Sequence, residues 1–184
     1  MPTAYLIHGT SSRDDDWFPW LEEAAQPEID VERIFLPDPY QPVQADWNEA
    51  VDDQIPAEDG VTLIAHSLGC VTALRFIERH RIAHANLILV GAFDQPLPAY
   101  PDLAEFMKPA PRYDKITPKV DQAVVITAVD DPIAPFDDAV KVANSLDGDI
   151  IARSRGGHFL ASDGFTKFPL VLEELQKIMQ KNSF

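Results

Sequence analysis

Short, nearly unbroken apolar runs alternate with helix-patterned segments along most of the chain, and this alternation constrains the fold more than any other feature. The runs cover residues 3–8, 31–36, 61–66, 86–91 and 123–129, with a weaker one at 149–153. Helical patterns fall at 14–25, 46–54, 67–80, 136–146 and 168–180. Strand, helix, strand, helix is the order of an α/β layer structure built on a parallel sheet. Runs that are apolar at every position suit strands covered by helices on both faces. A chain of 184 residues fits one domain, so residues 1–184 are expected to form a single unit. The proline-rich stretch 94–119 breaks the alternation, with only a short helical pattern at 103–108. A long irregular excursion is more often functional than idle. Because it follows a strand, it is expected over the carboxyl edge of the sheet, where such folds bind ligands.

Charge and cysteine content remove several function classes. Lys and Arg number 15 against 30 Asp and Glu, a net charge of -15. A field of that sign repels phosphate backbones and anionic lipid, so neither nucleic acid nor a membrane is an expected partner. No run approaches the ~20 apolar residues of a membrane span. The opening residues, Met1 to Gly9, show no basic region and no long apolar run. A secretory signal is therefore not expected, and a cytoplasmic location is. The single cysteine, Cys70, excludes an internal disulfide and a Cys-based zinc site.

Chemistry-bearing residues collect at the ends of the apolar runs. Ala65-His66-Ser67-Leu68-Gly69 lies between a strand pattern and a helix pattern. This is the setting of a nucleophile elbow, where a serine sits in a strained turn and its neighbours two positions away must be small. Such a turn thrusts the Ser67 hydroxyl out at a helix N-terminus, which favours nearby negative charge. A serine N-cap on a buried helix is the plainer alternative for the same residue. Asp130-Asp131-Pro132 follows the 123–129 run, and Gly156-Gly157-His158 follows the 149–153 run. A serine hydroxyl is a weak nucleophile. It needs a neutral imidazole to take its proton and a carboxylate to fix the imidazole tautomer. Ser, Asp, His is also the chain order of the α/β-hydrolase triad. Of the two aspartates, Asp131 is the expected orienting group, because Pro132 biases the preceding residue to an extended conformation. Asp130 is then expected to help hold the loop.

Acyl transfer also needs two donors for an oxyanion. The backbone N–H of Leu68 is one candidate and that of Thr10, after the first run, is the other, with Ser11 as the fallback. His66 is read as a structural histidine, since neighbours on a tight elbow point apart. His80 and His84 read as a solvated face, and Cys70 as a buried, inert thiol. Asp14-Asp15-Asp16 reads as a helix start and not a cation site.

The chain resembles the small, lidless serine hydrolases of the α/β-hydrolase superfamily typified by retinoblastoma-binding protein 9 and its bacterial relatives. The resemblance rests on Trp17-Phe18-Pro19-Trp20-Leu21, Leu36-Pro37-Asp38-Pro39, Trp47, His66-Ser67-x-Gly69, Asp130-Asp131-Pro132-x-x-Pro135 and Gly157-His158-Phe159. It implies a sheet of about six parallel strands in local order 2-1-3-4-5-6, helices on both faces and no large lid. It implies Ser67 as nucleophile, Asp131 as acid and His158 as base. The expected reaction is hydrolysis of a small ester, or an amide or thioester, through an acyl-serine, with no metal or organic cofactor. Ala65 replaces the usual first glycine of the elbow, and residues 94–111 match poorly. Two other classes stay open from sequence: a protein-interaction module that keeps the fold with little turnover, and a lyase or cofactor-free oxygenase on the same scaffold.

Overall fold

The computed structural model describes residues 1–183. Six parallel strands form one sheet in the order β2-β1-β3-β4-β5-β6. They are β1 (Thr3–Ile7), β2 (Asp30–Arg33), β3 (Thr62–His66), β4 (Ala85–Val90), β5 (Val120–Ala128) and β6 (Asp149–Arg153). The main helices are α1 (Phe18–Ala25), α2 (Gln44–Gln54), α3 (Leu68–Arg79), α5 (Phe136–Ser145) and α6 (Pro169–Asn182), with a single turn of helix at α4 (Tyr113–Ile116).

The sheet separates two apolar cores, and the alternation of strand side chains explains why the central runs carry no polar face. Leu63, Ala65, Leu87, Leu89 and Val125 point into a core shared with Trp47, Phe76 and Val142. Their neighbours Ile64, Ile88, Val90 and Ile126 point the other way, onto Trp17, Phe18, Phe168 and Leu175. Successive residues of a strand face opposite sides, so a strand covered twice must be apolar throughout. The edge strand β6 is mostly exposed, and its pattern is correspondingly weaker.

Two expectations are corrected. The first helix begins at Phe18, not at residue 14. Ser12 and Asp15 divert the backbone: the Ser12 N–H donates to Asp15 Oδ2 and the Asp14 N–H to Ser12 Oγ. Short polar side chains that bond nearby backbone compete with helix formation. Asp16 then adopts a positive φ of 54°, and the helix starts with Pro19 in its first turn, where the missing N–H costs nothing. The helical pattern at 103–108 is also not a helix; only a 3-10 turn forms nearby, at Pro101–Leu103. The proline-rich stretch is held instead by two side chains of the scaffold and by one bond of its own. Gln44 donates to the carbonyls of Phe106 and Lys108, Arg75 donates to that of Pro109, and the Tyr113 hydroxyl donates to Asp94. Phe106 and Met107 are buried beneath it. Among the described residues no helix is long and apolar enough to cross a membrane.

Candidate active site

Parallel strands bring their carboxyl ends to one edge. Ser67 follows β3, Asp131 follows β5 and His158 follows β6. The Ser67 hydroxyl lies 2.7 Å from His158 Nε2, and His158 Nδ1 lies 2.8 Å from Asp131 Oδ2. The structure thus joins all three sequence-predicted side chains in one hydrogen-bonded relay. Nδ1–H donates to the carboxylate, so Nε2 presents its lone pair to the serine hydroxyl. The side chains of His158 and Asp131 are 3% and 0% exposed.

Ser67 occupies the position before α3, yet its side chain does not cap that helix. Its backbone has φ 57° and ψ -126°, outside the regions L-residues favour. Strain of this kind costs of order 1–3 kcal/mol and persists only where the surroundings enforce it. Gly69 is part of that enforcement. A Cβ at Gly69 would lie 2.4 Å from the carbonyl oxygen of His8 and 2.5 Å from that of Ile7. The elbow therefore rests directly on the end of β1, and only glycine fits there.

Asp131 is fixed by its own loop. Its Oδ1 accepts from the backbone N–H groups of Ile133, at 2.8 Å, and Ala134, at 2.9 Å, which leaves Oδ2 for the imidazole. Gly91, with φ +61°, lies under the His158 ring, and a Cβ there would approach Cε1 to 3.0 Å.

The loop bearing His158 is fastened through carboxylates. The N–H of Gly157 donates to Asp130 at 2.9 Å, that of His158 to Asp163 at 3.0 Å, that of Leu160 to Asp163 at 3.2 Å and that of Ala161 to Asp16 at 2.7 Å. Sequence reading does not single out Asp163 or Asp16 for this. Asp16 is half-buried, and burial pushes its carboxyl above the usual range.

Thr10, Ser11, Ser67 and Leu68 share the wall of a cleft of about 420 Å³. The Leu68 N–H is at the first turn of α3, where no intrahelical acceptor exists. Phe93, Leu97, Tyr100 and Leu103, with Ile133 and Leu160, supply the apolar part of the lining. The proline-rich stretch thus supplies part of the cleft, over the carboxyl edge as expected. None of the cleft-lining residues is a Lys or Arg, while Asp15 and Asp16 both contribute. Among the described residues no cluster of His, Cys, Asp and Glu is arranged to hold a metal ion.

The remaining candidates fall outside the relay. His66 is buried at the cleft wall beside Ser67, and burial, reinforced by the neighbouring His158, lowers its pKa to about 3. Burial likewise pushes the Cys70 thiol well up, so it stays protonated. His80 pairs with Asp52 and His84 with Asp121 at the surface.

This sheet order and architecture is the α/β-hydrolase fold. Mouse alpha/beta hydrolase domain-containing protein 10 shares it with a TM-score of 0.73 at 16% identity, covering 98% of this chain and 90% of that one. The family model described as serine hydrolase matches residues 4–177, and the chain belongs to that family. YdeN of Bacillus subtilis is 33% identical over 184 residues, with 97% of each chain covered. The crystal structure of the ydeN gene product matches with a TM-score of 0.93, covering 98% of this chain and 100% of that one. Serine hydrolase RBBP9 of Rattus norvegicus is 25% identical over 163 residues, covering 85% of this chain and 86% of its own.

Proposed function

We propose that this serine hydrolase is a carboxylic ester hydrolase that works through an acyl-Ser67 intermediate. The observation that carries the reading is the unbroken relay from Ser67 through His158 to Asp131, at 2.7 and 2.8 Å. His158 takes the Ser67 proton as the hydroxyl oxygen attacks the ester carbonyl. Asp131 holds the imidazole tautomer and stabilises the imidazolium. The oxyanion is met by the backbone N–H groups of Leu68 and Thr10. The imidazolium returns its proton to the departing alkoxide, and the neutral imidazole so formed takes a proton from water as it attacks the acyl-enzyme and releases the acid. No step calls for a metal or organic cofactor.

The cleft supports a neutral substrate with a short apolar acyl group. Its apolar wall suits hydrocarbon, and the carboxylates of Asp15 and Asp16, with no Lys or Arg among the cleft-lining residues, disfavour an anion. The expected site of action is the cytoplasm. Two measurements test the reading. A fluorophosphonate probe is expected to label Ser67, and p-nitrophenyl esters of increasing chain length are expected to turn over best at short lengths. Absence of both labelling and turnover would leave the fold serving as an interaction module. Labelling with highest activity on long chains would overturn the substrate reading alone.

A further inference from the structure

The residue before the nucleophile reaches across the sheet edge to the base. His66 Nε2 lies 2.8 Å from the backbone carbonyl oxygen of His158. A carbonyl only accepts, so Nε2 carries the proton and donates it. The next carbonyl along, that of Phe159, accepts from Trp17 Nε1 at 3.2 Å. Two buried side chains therefore hold consecutive carbonyls of the base loop, in a segment where Phe159 adopts a positive φ of 56°. The His66 ring is in turn fixed. It packs against Trp17 edge-on with centroids 6.1 Å apart, against Phe18 at 5.7 Å and against the His158 ring at 5.0 Å.

We propose that His66 is a positioning residue: its Nε2–H bond to the His158 carbonyl sets the distance between the Ser67 hydroxyl and the His158 imidazole. The inference rests on the reading of Ser67 and His158 as nucleophile and base, and deepens it. His66 and Ser67 are consecutive on the end of β3, so the backbone that carries the nucleophile also carries the donor that holds the base. Any shift of β3 against the loop moves both together. The burial that keeps His66 neutral also matters, because an imidazolium 5.0 Å from the His158 ring would oppose formation of a second cation there. Among the described residues the buried His66 Nδ1 atom has no partner, so the ring carries a desolvation cost for its place. A purely space-filling side chain would avoid that cost.

The test uses the full chain with His66→Leu and His66→Gln, whose amide nitrogen reaches about as far as Nε2. Three quantities are read: kcat and KM on one short p-nitrophenyl ester, the rate of fluorophosphonate labelling of Ser67, and the downfield NMR resonance of the His158 Nδ1 proton. His66→Leu is expected to lower kcat and the labelling rate together by roughly 10- to 100-fold. Its KM should stay within about threefold of wild type, since the bond acts on the placement of the base and not on substrate binding. The Nδ1 resonance should broaden or shift as the imidazole loses its fixed orientation. His66→Gln should bring kcat back to within about fivefold of wild type by restoring the donor. If His66→Leu does not fold, His66→Asn replaces it, keeping a polar amide that is too short to reach the carbonyl. A folded variant lacking the donor yet holding kcat and the Nδ1 resonance at wild-type values overturns the inference and leaves the hydrolase reading intact. A loss that His66→Gln does not relieve also overturns it. Wild-type protein inert to both ester and probe overturns the proposed reaction, and this inference with it.

Discussion

Asp130 and Asp131, adjacent in the chain, grip two adjacent residues of another loop: Asp130 Oδ1 accepts from the Gly157 N–H and Asp131 Oδ2 from the His158 ring. One carboxylate holds the backbone and the other the imidazole. Asp131→Asn is expected to keep the fold but favour the wrong tautomer of His158. The expected cost is on the order of 10⁴-fold in kcat, as for the corresponding change in a serine protease. Asp130→Asn still offers an acceptor to Gly157, so its cost should be far smaller. Side-by-side kinetics on one ester decide the matter, and a crippled Asp130→Asn beside an active Asp131→Asn would reverse the roles.

The backbone at Ser67 makes an unusual prediction about stability. Ser67→Ala and Ser67→Gly both abolish acyl-enzyme formation and both lose the bond to His158. They differ only in the Cβ at φ 57°, ψ -126°. Glycine elsewhere is less stable than alanine by roughly 0.5–1 kcal/mol. Here strain is relieved, and Ser67→Gly should exceed Ser67→Ala by about 1 kcal/mol. Denaturant midpoints of the two variants measure this; the ordinary ranking would show that the elbow is unstrained.

Gly69→Ala should disrupt both stability and turnover. The new methyl would lie 2.4 Å from the His8 oxygen, against backbone that cannot rotate away. Overpacking costs typically about 1–3 kcal/mol. The displaced segment leads directly to Thr10, so kcat should fall as well. A variant with wild-type thermal stability and wild-type kcat would contradict the close approach of β1 to the elbow.

The pH dependence of stability carries a contribution from Asp16. Burial raises its carboxyl above the ordinary range, so the folded state binds this proton more tightly than the unfolded state does. Its ionisation therefore weakens the fold: stability is highest below the unfolded pKa of ~3.9 and falls as pH rises through the raised value. Asp16→Asn keeps an acceptor for the Ala161 N–H and cannot ionise. The difference in Tm, variant minus wild type, should grow between pH 4 and pH 7. Thermal melts across that range check the sign. A difference that is constant, or that shrinks with pH, would show that the Asp16 carboxyl is not penalised by burial.

The parallel sheet and the meeting of Ser67, Asp131 and His158 at its edge were legible because each depends on local pattern, whereas the strand order came from the family resemblance. Apolar runs mark the strands, and Ser67, Asp131 and His158 each follow such a run, so a parallel sheet brings them to one edge. Pro132 pointed to Asp131 by restricting its backbone. What was not legible arises from loop closure. The Ala161 N–H reaches Asp16 across 145 positions, and no local signal marks such a pair. Asp14, Asp15 and Asp16 suggested a helix start because acidic residues favour that position. The competing signal, Ser12 and Asp15 bonding their own backbone, has the same composition and a different outcome. His66 was read as structural because neighbours on an elbow point apart. The two neighbours do meet different atoms of His158, His66 its backbone carbonyl and Ser67 its ring.

The fastening of the base loop gives the acidic surplus of this chain a second meaning. A net charge of -15 reads at first as a property of the surface, useful for solubility. Yet Asp16, Asp130 and Asp163 spend their lone pairs on four amides of one loop. Those three carboxylates fasten the base loop, even though Asp130 and Asp163 lie at the surface. Charge-reversal engineering aimed at the protein's overall balance must therefore spare these three as well as Asp131, because a cation in their place removes the acceptors on which the imidazole loop rests.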